Sequence, residues 1–130
     1  MATDEISLTL PAERDFFRVA HLVLGGLAVR LNLTFESLED LQLALDGLLE
    51  REPGNGDVTV RVSVGAGVVE TLVGPFADGD GIRKELEREP GDGMTLRRVL
   101  DAVVDGVALE HREGGEWVRL TKRVERLRES

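Results

Sequence analysis

The stretch VTVRVSVGAGVVETLV, residues 58–73, constrains the fold more than any other part of the chain. Valine stands at positions 58, 60, 62 and 64, with Thr59, Arg61 and Ser63 between them. A period of two sends neighbouring side chains to opposite faces of a strand, so one face is apolar and the other polar. Gly65-Ala66-Gly67 turns the chain into a second extended run, VVETLV, and the two runs make a hairpin. A hairpin with one apolar face must cover that face with a second layer.

The rest of the sequence supplies the cover. EISLTL, residues 5–10, alternates Ile6, Leu8 and Leu10 against Ser7 and Thr9 and reads as a first strand. Pro11 suits the first turn of a helix and Glu13 its positive end, which predicts a helix over 12–31. Phe16, Ala20, Val23, Leu27 and Leu31 form one stripe of that helix, and Phe17, Leu24 and Ala28 a second beside it. The wide apolar arc reads as core packing against a sheet, with contact between two copies (a homodimer) as its alternative use. Gly25-Gly26 costs helix propensity there, about 1 kcal/mol each relative to alanine, and close packing against another backbone would account for both. His21, on the second stripe, reads as a satisfied, partly buried residue.

Thr34 is placed to cap a second helix running to Arg51, with Leu38, Leu41, Leu45 and Leu48 as its core stripe. After the hairpin, ADGDG reads as a loop and IRKELERE as a short helix. A helix over 94–104 follows, then a second hairpin, GVALEHR and EWVRLTKR about the turn EGG, and a charged tail. The order is strand, helix, helix, two strands, helices, two strands. It predicts one α+β domain over residues 1–130, a two-layer sandwich of mostly antiparallel sheet with helices on one face. The chain shows no internal repeat and no linker long enough to separate two domains.

Composition narrows the function classes. At 130 residues the chain can bury roughly two-thirds of its unfolded surface without a disulfide or a metal. Cysteine is absent, which excludes thiolate zinc sites and a cysteine nucleophile and fits a cytoplasmic protein. His21 and His111 have no short-range metal-ligand spacing. The net charge of −9 argues against a nucleic-acid partner. Arg119, Lys122, Arg123, Arg126 and Arg128 are interleaved with Glu125 and Glu129 and have only Trp117 as a nearby aromatic, the pattern of a solvated surface. No basic leader precedes an apolar run, and no run of 18 apolar residues could span a membrane.

Gly91-Asp92-Gly93, just before the 94–104 helix, is a place where bare backbone N–H groups can meet a phosphate. Together with the helix ESLEDLQLALDGLLE, the order of elements and the final GDGMTLRRVLDAVVDGVALEHREGGEWVRLTKRV, it resembles the ATP-binding domain shared by gyrase, histidine kinases and a heat-shock chaperone. Within that superfamily the chain is similar to the small bacterial anti-sigma factor serine/threonine kinases, over nearly its whole length.

The resemblance implies a nucleotide site in three parts, and this chain departs from each. The family's helix glutamate, a general base, and the asparagine four residues on, a magnesium ligand, align with Gly47 and Arg51. Glycine accepts no proton, and a guanidinium has only donors and a fixed charge. Asp46 and Glu50 stand one position off, some 100° round the helix. The family's adenine-binding aspartate, in a D-x-G pattern, aligns with Leu72, while Gly74 is kept; Asp78 and Asp80 read as loop residues. Gly91, Gly93, Met94 and Thr95 keep the outline of the phosphate loop, with Asp92 adding a negative charge to it.

By this resemblance, with no catalytic residue and no metal ligand retained, the chain is a catalytically silent regulator that needs no cofactor. It would act by binding a sigma factor or an anti-anti-sigma protein. The alternative is an ATP-dependent serine/threonine kinase that uses Arg51 on the phosphates in place of magnesium. A pocket lined by Gly47 and Leu72 would be apolar or collapsed, with few charged groups converging on it.

Overall fold

The computed structural model describes residues 4–51, 56–88, 95–112 and 115–124. The strands are β1 (Asp4–Pro11), β2 (Asp57–Gly65), β3 (Val68–Phe76), β4 (Gly106–Arg112) and β5 (Gly115–Arg123). The helices are α1 (Arg14–Arg30), α2 (Phe35–Leu49), α3 (Gly79–Glu87) and α4 (Leu96–Val103). One five-stranded sheet has the order β1-β2-β3-β5-β4, with every neighbouring pair antiparallel. The predicted α+β sandwich is the fold observed.

The valine alternation sets the sheet's buried face. Val60, Val73 and Val118 form a row across β2, β3 and β5, and Val62, Thr71 and Leu120 form the next. All six are buried. The Ala66-Gly67 turn, with φ of 52° and 76°, has the left-handed backbone of a two-residue hairpin loop. Leu41, Leu45 and Leu48 of α2 and Leu24 and Leu27 of α1 close the core from above. From the β1 side to the β4 side the helices run α1, α2, α4, and α3 contacts α4, β3 and β5.

Local signals fix the helix ends. The Thr34 hydroxyl accepts from the Ser37 N–H at 3.1 Å, capping α2 as expected. Asp78 caps α3 by accepting from the Gly81 N–H at 2.9 Å, so Gly79-Asp80-Gly81 forms the first turn of a helix and not a loop. Pro11 ends β1, opposite Asp57, and does not begin α1. Its missing N–H costs no ladder bond at a sheet edge.

Two expectations for α1 fail. Phe16, placed on the core stripe, is exposed, as are Val19, Leu22 and Val29. A Cβ added at Gly25 or Gly26 would meet nothing within 4 Å, so among the described residues no other backbone packs closely there. The helix sits at the edge of its layer, and only half of its apolar arc reaches the sheet. Gly25→Ala therefore gains helix propensity without a clash, and chemical denaturation should show it more stable by about 0.5–1 kcal/mol.

Candidate functional site

By the resemblance to nucleotide-binding domains, the candidate site lies where α2 faces α4. Gly47 lies on this face. A Cβ built there would stand 3.1 Å from Cδ1 of Leu96, the first residue of α4. Leu96 is fully enclosed, with 2% of its surface exposed. Space beside α2 that an acidic side chain would need is thus filled by a leucine.

Arg51, just beyond the end of α2, pairs with Glu85 of α3 at 3.5 Å, which balances its charge. Thr95 caps α4: its hydroxyl accepts from the Arg98 N–H at 3.2 Å. Gly74 is in close contact with the indole of Trp117, and a Cβ there would come within 2.7 Å of the ring. Gly91, Asp92, Gly93 and Met94 lie outside the described residues. Gly47 and Thr95 thus lie where α2 meets the start of α4, Arg51 turns to Glu85 of α3, and Gly74 lies against the Trp117 indole on the sheet.

Leu72 is elsewhere. It lies between Arg61 and Arg119 in one row across β2, β3 and β5, on the face turned from the helices. It therefore cannot line a pocket between helices and sheet. Thr71 faces that side instead; it is buried, and its Oγ1 finds no partner among the described residues. The period of two was the available signal, because inward Val69 and Val73 require residue 71 to point inward and residue 72 outward.

Asp46 and Glu50 also point away from Gly47. Asp46 Oδ1 lies 2.5 Å from His21 Nε2, joining α2 to α1. The pair separates two surface clefts. One, of about 350 Å³, is lined on the α2 side by Glu36, Glu39, Asp40 and Leu43; the other, of about 240 Å³, by Arg14, Phe17, Arg18 and Glu50. Lys122 donates to Asp40 at 3.0 Å and to the Val103 carbonyl at 2.7 Å, tying β5 to α2 and to the end of α4. Among the described residues no three His, Asp or Glu side chains gather closely enough to hold a metal ion.

On the open face of the sheet, Arg119 bonds Glu70 of β3 and Glu110 of β4, and Arg112 donates to Glu110 at 2.9 Å. The hydrogen bond from Arg119 holds Glu110 below the usual carboxylate range, against the opposing effect of burial. The same bond raises the Arg119 guanidinium. A depressed carboxyl adds stability that is present above its unfolded value and is lost as pH falls through its folded value. Stability measured from pH 6 down to pH 3 should thus fall less steeply in Glu110→Gln than in the unaltered protein.

The five-stranded antiparallel sheet with helices on one face has the fold of an RsbW domain. The solved structure of the RsbU and RsbW domains of a Mycobacterium tuberculosis protein superposes with a TM-score of 0.67 at 17% identity, over 95% of this chain and 32% of that one. This chain thus spans about a third of that longer protein. The sequence is similar to proteins named serine-protein kinase RsbW. That of Bacillus subtilis is 24% identical over 110 residues, covering 79% of this chain and 68% of the relative. That of Oceanobacillus iheyensis is 26% identical over 132 residues, covering 85% and 82%. That of Listeria monocytogenes is 27% identical over 139 residues, covering 88% and 85%. No family model matches the chain.

The packing of Leu96 on Gly47 makes a measurable prediction. Gly47→Glu should cost about 2 kcal/mol, because it drives a carboxylate into an apolar contact. Leu96→Ala should cost about 2–4 kcal/mol through the cavity it leaves. The double variant should be more stable than the sum of the two by at least about 0.5 kcal/mol, as neighbours that share one space do not add.

Proposed function

We propose that this protein is a regulator of the anti-sigma class that acts by binding protein partners and does not transfer phosphate. The observation that carries the reading is the closure of α4 on α2: Leu96 lies against Gly47, where the resembling kinases hold their general base. Positioned acid–base groups contribute roughly 10²–10⁴ in rate, and here the position offers no proton acceptor. Arg51, at the magnesium-ligand position, is a cation already paired with Glu85. On this reading neither nucleotide nor magnesium is a cofactor, and the partner is a sigma factor or an anti-anti-sigma protein, met in the cytoplasm.

A second reading is favoured by the relatives' name, serine-protein kinase. In it, Arg51 leaves Glu85 to hold the phosphates of ATP without a metal. Calorimetric titration with ATP and ADP, with and without magnesium, separates the two. The silent regulator binds neither nucleotide at about millimolar concentration (a Kd of 1 mM corresponds to about −4 kcal/mol). Binding that ignores magnesium and disappears in Arg51→Ala would support the kinase, and magnesium-dependent binding would refute the placement of Gly47 and Arg51.

A further inference from the structure

The face of the sheet turned from the helices holds a cleft of about 230 Å³. Its floor is Leu72, which is buried although it points away from the core. Arg61 of β2 and Arg119 of β5 stand in the same row, one on either side of it. Strands lie about 4.8 Å apart, so the two arginine backbones are about 10 Å from one another, and their side chains wall the cleft. Glu5, Ser63 and Glu70 form the next row, on β1, β2 and β3, and complete the lining with Arg112.

The charges in this cleft are paired unevenly. Arg119 is balanced by Glu70 and Glu110, and Arg112 by Glu110. Arg61 has no ion pair or hydrogen bond among the described residues. Glu5 meets no cation among them and accepts only from the Ser63 hydroxyl, at 3.2 Å. Ser7 is the β1 neighbour of Arg61, which sets Glu5 on its diagonal, about 7–8 Å away at the backbone. An arginine side chain is long enough to close that gap, and here it does not. The cleft therefore lies between an unpaired guanidinium and an unpaired carboxylate. Arg119 also keeps a donor, since it uses Nε on Glu110 and Nη1 on Glu70 and has Nη2 left.

We propose that this cleft binds a small zwitterion, a free α-amino acid, with its carboxylate on Arg61 and Arg119 and its ammonium on Glu5. Charge and size both favour this class. A plain anion would gain Arg61 but face the carboxylates of Glu5 and Glu70, and a plain cation would face the guanidiniums. A zwitterion sets each of its charges against the opposite one, in hydrogen bonds that charge strengthens on both sides. At about 30 Å³ per water molecule, the cleft has the bulk of about eight waters, the size of a small aliphatic amino acid. Leu72 offers the apolar contact for its side chain. The site is on the opposite face of the sheet from Gly47 and Leu96, so the inference is independent of whether the protein binds nucleotide.

Titration of the isotope-labelled full chain with L-leucine, followed by amide and guanidinium NMR shifts, tests it. The shifts should centre on Glu5, Arg61 and Leu72 and give a Kd of about 1 mM. Isocaproate, which lacks the ammonium, and isoamylamine, which lacks the carboxylate, should each bind at least about 10-fold more weakly. Arg61→Gln and Glu5→Gln, both on the solvated face, should leave circular dichroism unchanged and each raise the Kd for leucine at least about 10-fold. Arg97→Gln, on α4, should leave that Kd unchanged. No shifts at about 20 mM leucine, equal binding of either half-molecule, or leucine binding that survives either cleft substitution would each overturn the proposal.

Discussion

One apolar contact layer holds the molecule together: the inward rows of β2, β3 and β5 against the leucines of α2. Val58, Val73, Val118, Leu45 and Leu48 are each at most 1% exposed. Burying side chains of this size contributes about 1.5–3 kcal/mol each, so a few of them match the whole net stability of a domain. α2 is therefore the least free of the helices. Its position fixes Gly47 under Leu96 and Asp46 against His21, and so decides both what the candidate site excludes and where α1 rests.

Much of this was legible because period and caps are local signals. The alternating valines gave β2 its buried face, and Thr34 gave α2 its start. The failures came where a local pattern has two readings. Pro11 suits the first turn of a helix and the end of an edge strand equally, and only pairing with Asp57 decides between them. DGDG is good turn chemistry and also good capping chemistry. The apolar arc of α1 was visible, but an arc does not say how much of it a sheet will cover; that depends on the helix lying at the end of its layer.

The candidate site was legible in what it lacks more than in what it contains. Gly47 and Arg51 could be placed by alignment on a helix of known register. What fills the space they leave could not, because Leu96 comes from a helix almost fifty residues further on. Leu72 shows a simpler limit: a motif carries no record of strand side, and residue 71, not 72, shares the inward side of Val69 and Val73.

The Arg119 clasp makes the two ends of the sheet unequal. At the β4 end, one guanidinium spans three strands through Glu70 and Glu110, and Asp105 holds the Arg123 N–H at 2.7 Å. At the β1 end, the backbone ladder is helped by the Thr9–Thr59 hydroxyl pair and by the Ser63 hydroxyl on Glu5. Local opening is therefore directional: the sheet unzips from its first strand, while the last hairpin stays closed until the core itself gives way.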